Sequence, residues 1–125
     1  MPIDPAIPVD PGEIFWITLP MQRGSEQSGR RPCIVMSRRS VNTGNTVVIV
    51  PMSTNTDRAG AYRVLLPVTE IIKDVSCASE IRTSVALCGH VRVVDKRAFE
   101  SKIGKLSQNA ILAVQLGLSY LFDIR

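Results

Sequence analysis

Residues 24–36 read GSEQSGRRPCIVM. The stretch Met21 to Gly29 is polar and flanked by glycines, so it reads as a loop. Pro32, Cys33, Ile34, Val35 and Met36 then form a run apolar enough for burial on both faces, which marks a core strand. Upstream, Gly12 and Pro20 bound Glu13 to Leu19, where Ile14, Phe15, Trp16 and Ile17 favour a first strand. Downstream, Asn42-Thr43-Gly44-Asn45 has the residues that tolerate positive φ in tight turns, and the β-branched run Thr46 to Val50 follows, which predicts a hairpin. Pro51 lacks an N–H and is expected to end regular pairing. Met52 to Thr56 then reads as a hydroxyl-rich turn, and Tyr62 to Leu66 as another strand.

Beyond Pro67 the pattern is less regular. Thr69 to Ser79 suits a short helix or a strand equally, and is expected to be irregular. Ser84 to Cys88 reads as a strand whose pairing continues past Gly89 through Val91, Arg92 and Val93. Asp95 can cap a helical turn, with Phe99 and Ile103 on one face and a left-handed Gly104 at its end. Ser107 is the expected N-cap of a second helix, Asn109 to Phe122. Its stripe of Ile111, Val114 and Leu118, crowded by Leu112, Leu116 and Tyr120, predicts burial nearly all round. Short strands at close spacing, with no βαβ alternation and no repeat, predict a mainly β fold with α: a small barrel-like sheet closed by a C-terminal helix.

The 125 residues fit one domain, placed at 12–125, and with 45% apolar and 21% charged residues the chain can bury a core. Pro2, Pro5, Pro8 and Pro11 make residues 1–11 an expected flexible, extended arm. Cys33, Cys77 and Cys88 are odd in number and lack CxxC spacing, which indicates neither a disulfide framework nor a thiolate zinc site. The acidic, proline-rich start does not read as a signal peptide, and the apolar stretch Ala110 to Phe122 falls short of the roughly 20 residues that span a bilayer. A soluble cytoplasmic protein without a metal or other cofactor is expected.

Lys and Arg exceed Asp and Glu by 15 to 11. Arg23, Arg30, Arg31, Arg38 and Arg39 crowd into a stretch whose one acid is Glu26. Forked guanidinium donors match phosphate oxygens, so the cluster suits a nucleic-acid backbone. A solvated charged rim is the plain alternative, because aromatic stacking partners are few.

Together with Gly12-Glu13-Ile14, Val50-Pro51-Met52-Ser53-Thr54, Ser84 to Cys88, Val91-Arg92 and Val94-Asp95-Lys96, the string from Gly24 to Pro32 resembles the MazF/PemK/Kid family of bacterial toxins. The resemblance runs from about Gly12 to Phe122. It implies an SH3-like β-barrel that forms a homodimer, and a sequence-specific, metal-independent endoribonuclease neutralised by a cognate MazE/PemI-like antitoxin. It also implies a single-stranded RNA substrate and attack of a 2′-hydroxyl on the adjacent phosphorus, leaving a 2′,3′-cyclic phosphate and a 5′-hydroxyl. Such a reaction needs a proton acceptor, stabilisation of charge on phosphorus and a proton for the leaving oxygen.

Carried onto this sequence, the resemblance makes Arg31 the charge-stabilising guanidinium and Ser53 a hydroxyl donor to a phosphate oxygen. Glu26 is either the proton acceptor or a support for Arg31. Gln27, Arg30, Ser25, Thr54 and Arg23 would touch RNA. One departure matters: where the Kid-like branch carries an arginine and an aspartate proposed as acid and base, this chain has Leu87 and Gly89. His90, the single histidine, stands beside the gap, where an imidazole has the proton-transfer chemistry to replace the base, or else is a strand histidine or a base contact. Two rivals remain: a toxin of the same fold that binds DNA gyrase, as in the CcdB family, and a weakened RNA-binding regulator.

Overall fold

The computed structural model describes residues 3–4, 6–20 and 29–124. Its strands are β1 (Glu13–Leu19), β2 (Gly29–Val35), β3 (Thr46–Ser53), β4 (Arg63–Leu66), β5 (Ile71–Lys73), β6 (Ser84–Leu87), β7 (Arg92–Asp95) and β8 (Phe99–Leu106). Two helices, α1 (Arg39–Asn42) and α2 (Gln108–Leu121), complete the fold. Every strand pair is antiparallel, in the order β4-β6-β3-β2-β1-β8-β5 with β7 also on β3. The mainly β fold with a C-terminal helix is therefore as expected. Closure is not: among the described residues β4 and β5 end the path unpaired with each other, so the sheet curls without sealing into a barrel.

Alternation along the strands divides the apolar residues between two faces. Ile14, Ile34, Val50, Met52 and Ala86 meet Ile103, Ala110 and Val114 in one cluster, under α2. Phe15, Ile17, Cys33, Val35, Ile49 and Phe99 form the second, with Phe15 and Phe99 ring centroids 5.2 Å apart. Val9, from the proline-rich lead, is fully buried in that second cluster. Its carbonyl accepts from Asn42 Nδ2 at 2.9 Å, and Asp10 takes a two-pronged contact from Arg39 at 2.7 and 2.6 Å.

Several expectations are corrected by contacts distant in sequence. Asn42 is the last residue of α1, and Asn42–Asn45 has no positive φ; the buried Asn42 side chain ties the connection to Val9 and Ser37 instead. Pro51 does not end β3. It pairs with Cys33, while on the other edge β3 passes from β7 (up to Ile49) to β6 (from Met52), and a residue without N–H is tolerated in that gap. Thr69 to Ser79 holds the end of a 3-10 turn and β5. Cys88–His90 is likewise a 3-10 turn that separates β6 from β7.

Asp95 does cap a short turn, accepting from Arg97 N–H at 2.8 Å, but Phe99 to Gly104 belong to β8 rather than to a helix. Gly104 is not left-handed; a Cβ there would lie 2.3 Å from the Ile72 carbonyl oxygen, so it is small because β5 passes close by. Ser107 caps α2 as expected, accepting from Ala110 N–H at 3.1 Å and donating to Glu70, a cap worth about 1 kcal/mol. The helix is not buried all round. Ala110, Val114 and Gly117 face inward, whereas Leu116 is 70% and Tyr120 65% exposed.

Candidate active site

Four adjacent strands, β6, β3, β2 and β1, surround a cleft of about 550 Å³. Arg30, Arg31 and Pro32 of β2, Ser53 of β3 with Thr54 beyond it, Ser84 of β6 and Trp16 of β1 line it. Cys33 pairs with Pro51, so Arg31 and Ser53, each two residues further out, fall at the same sheet end and on the same face. These local strands exist because Pro32 to Val35 and Thr46 to Val50 are apolar on both sides. Their polar continuations are left at the rim.

Arg30, one residue on, points to the other face. Its guanidinium carbon lies 4.1 Å from the Trp16 ring centroid, and Nε donates to Glu100 at 2.9 Å. Thr18 Oγ donates to the same carboxylate at 2.7 Å. The Arg30 guanidinium, then Thr18, hold Glu100 below the ordinary carboxylate range. Arg30 thus braces the cleft wall while remaining half exposed.

Arg31 lies near Cys33. Burial pushes the Cys33 thiol up to about 12, against the pull of the Arg31 and Arg92 charges. Arg92, which pairs with Ile49, is therefore a second guanidinium on this face that the sequence reading assigned no role. Ser53 Oγ accepts from Asn55 N–H at 3.1 Å, the local turn that a hydroxyl favours, and its own O–H remains a donor for a bound oxygen. Arg63 holds the turn from behind, donating from Nη2 to the Asn55 carbonyl at 3.3 Å. It faces Leu87 across the β4–β6 ladder, so a guanidinium reaches this face from the strand next to the one where the Kid-like arginine is missing. Its Nε is buried with no hydrogen-bond partner among the described residues. No linear motif signals Arg63, because only strand register brings it here.

The structure separates the other predicted residues. Thr54 lines the cleft. Arg23, Ser25, Glu26 and Gln27 lie outside the described residues. His90 ends the 3-10 turn beneath α2 and is not among the residues lining the cleft, while Leu87 is buried and Gly89 is exposed in that turn. Among the described residues no three His, Cys, Asp or Glu side chains converge as metal ligands would, and no helix is long and apolar enough to cross a membrane.

Comparison with known proteins adds to this geometry. The family described as "PemK-like, MazF-like toxin of type II toxin-antitoxin system" matches residues 10–122. Endoribonuclease MazF9 of Mycobacterium tuberculosis is 31% identical over 75 residues, which cover 55% of this chain and 64% of that relative. The aligned part thus spans less than two thirds of the relative's length. The crystal structure of MazF from Deinococcus radiodurans superposes with a TM-score of 0.74 at 23% identity, covering 94% of this chain and 99% of that one. A MazE–MazF crystal structure from the same organism gives 0.69 at 23% identity, covering 95% and 99%. These likenesses establish the shared fold. The gyrase-binding alternative finds no support in the family match or in the named relatives.

Proposed function

Because the chain belongs to the PemK-like, MazF-like toxins of type II toxin–antitoxin systems, we propose that it is an endoribonuclease toxin that cuts single-stranded RNA. The observation that carries this reading is the meeting of Arg31 and Ser53 at one strand-end cleft, a cation and a hydroxyl donor set where a phosphate can enter. The 2′-oxygen attacks phosphorus as its proton passes to a base, the bond from phosphorus to the 5′-oxygen breaks, and that oxygen takes a proton from solvent water as it leaves. Cyclic phosphate and 5′-hydroxyl ends result, with no metal required. Arg31 stabilises the charge that grows on the phosphate oxygens, and a guanidinium holds its protons too firmly to be a good proton donor. Ser53 donates to one of those oxygens. Glu26, five residues before Arg31 in the sequence, is the proton acceptor or a support for Arg31, with Gln27, Ser25, Arg23, Arg30 and Thr54 along the RNA path. A single strand is required because in-line attack needs a backbone released from helical geometry, and splayed bases expose their edges.

Two partners complete the proposal. The exposed Leu112, Leu116 and Tyr120 of α2, with Leu65 and Tyr62 beside them, form an apolar face suited to a homodimer. A cognate MazE-like antitoxin would meet the basic cleft with acidic groups and so exclude RNA. The RNA substrate places the activity in the cytoplasm.

The direct test is incubation of the purified chain with long single-stranded RNA in EDTA, mapping cut sites and end groups beside Arg31→Ala. Cuts at a short recurrent sequence with cyclic phosphate ends, lost in the variant, are expected. Intact RNA after exposure to the folded, antitoxin-free protein would overturn the reading.

A further inference from the structure

Beside the strand-end cleft lies a second cavity of about 350 Å³ that shares the walls Trp16, Pro32, Met52, Thr54 and Ser84 with it. Its floor is apolar, formed by Ile14, Ile71 and Ile103. Its outer wall is the segment before β6: Ile81 packs against the core, while the neighbouring Glu80 and Arg82 stand exposed at the rim. The cavity is thus lined mostly by apolar groups and carries one anionic and one cationic group at its mouth. None of these residues has a part in the phosphate chemistry.

We propose that this cavity receives one unstacked base of the RNA, the base adjoining the phosphate held by Arg31 and Ser53, and that Glu80 and Arg82 read its edge. The proposal rests on the ribonuclease reading and deepens it by naming a specificity site. A nucleobase has the matching chemistry: apolar faces that gain from burial and a polar edge with both donors and acceptors. Trp16 supplies an aromatic wall, braced by the Arg30 guanidinium over its ring, and single bases commonly stack on such walls. The carboxylate of Glu80 accepts from an amino or imino group, and the guanidinium of Arg82 donates to a ring nitrogen or carbonyl. Continuity with the cleft selects the base, since the sugar carries it over the shared wall when its phosphate sits by Arg31. An aliphatic side chain of an antitoxin would fill the floor but has no use for rim charges of both signs.

The test is cleavage of short RNAs containing the mapped cut sequence, each with a single abasic nucleotide at successive positions. Loss of stacked-base contacts worth about 1–3 kcal/mol corresponds to roughly a 5- to 150-fold loss of kcat/KM. That loss is expected at a nucleotide flanking the cut in the wild-type chain. Glu80→Gln, on the exposed rim, should change which base is preferred there and leave other positions alone. Ile81→Ser should make cutting indifferent to the abasic change, and circular dichroism will establish that it folds. Efficient wild-type cutting of every abasic RNA, or an unchanged preference in Glu80→Gln, would overturn the pocket while the nuclease reading stands. An effect of both variants on antitoxin affinity alone would overturn it in favour of an antitoxin side chain. No cutting of intact RNA by wild type would remove both readings together.

Discussion

The outer ends of β2 and β3 and the turn Cys88–His90 carry polar groups next to the same sheet, and they use them in opposite ways. At the strand ends Arg31 and Ser53 are half-buried and open into a cleft that, among the described residues, no helix residue lines. At the turn Leu87 and Cys88 are buried, and Cys88 Sγ lies 3.9 Å from the Val114 carbonyl of α2. Gly117 completes the seam, since a Cβ there would lie 2.8 Å from Val64 Cγ2 and 2.9 Å from Cys88 Sγ. The Kid-like arginine and aspartate positions flank this seam without packing in it: Leu87 is buried on the sheet face that Arg63 shares, opposite Ala86 and Cys88, and Gly89 is exposed in the turn, with nothing within 4 Å of where its Cβ would lie. The departure from the motif therefore flanks the strand end and turn against which α2 packs, whereas the retained Arg31 and Ser53 stand where a substrate can enter.

The comparison breaks most sharply at Arg31. Arg31→Ala is expected to lower kcat by about 100- to 1000-fold, the usual cost of removing one donor to a charged transition state, with folding intact. A rate within tenfold of wild type would mean that the chemistry lies elsewhere, and Arg31→Lys tests whether the fork or only the charge is needed. The seam should respond in the converse manner. Gly117→Val is expected to destabilise the fold by about 1–3 kcal/mol through overpacking, seen as a lower urea midpoint, with kcat unchanged in the folded fraction. Unaltered stability would show that α2 does not close on β4 and the turn. A smaller effect is expected at the cleft's second donor: Ser53→Ala should cost about tenfold in kcat, in line with about 1.5 kcal/mol for a hydrogen bond to a charged group, and Ser53→Thr should restore it. Loss of RNA affinity with unchanged kcat would assign Ser53 to binding.

What was legible in the sequence was local. Gly12 and Pro20 delimit β1, the run from Pro32 marks β2, and Ser107 announces α2, because turn chemistry, apolar runs and caps act within a few residues. Register was not legible. That β3 continues through Pro51, that Phe99 to Leu106 form a strand beside β1, and that the sheet stays open all depend on partners far away in the chain. The site divides on the same line. Arg31 and Ser53 could be picked from short motifs. Arg63 and Arg92 could not, since each reaches this face through a ladder with a distant strand. His90 drew attention by its chemistry and its place beside the motif gap, neither of which says which way a turn faces.

His90 is thus the finest test of the contrast. A histidine acting as base gives the rate a dependence on its own titration, rising with pH through its pKa as the neutral form accumulates. In the structure it closes a turn at the seam, and the residues lining the cleft do not include it. His90→Gln is therefore expected to keep kcat within about twofold of wild type, on the usual scale of general-base effects of about 100-fold or more, and to leave the acid limb of the pH–rate profile in place. A lost acid limb, with a fall in kcat and unchanged RNA affinity, would bring His90 into the reaction. The turn would then have to open from α2 during catalysis, and Gly117→Val, which disturbs the same packing, would alter kcat as well as stability. Agreement of those two variants would merge the regions into one site; their independence keeps chemistry at the strand ends and packing at the turn.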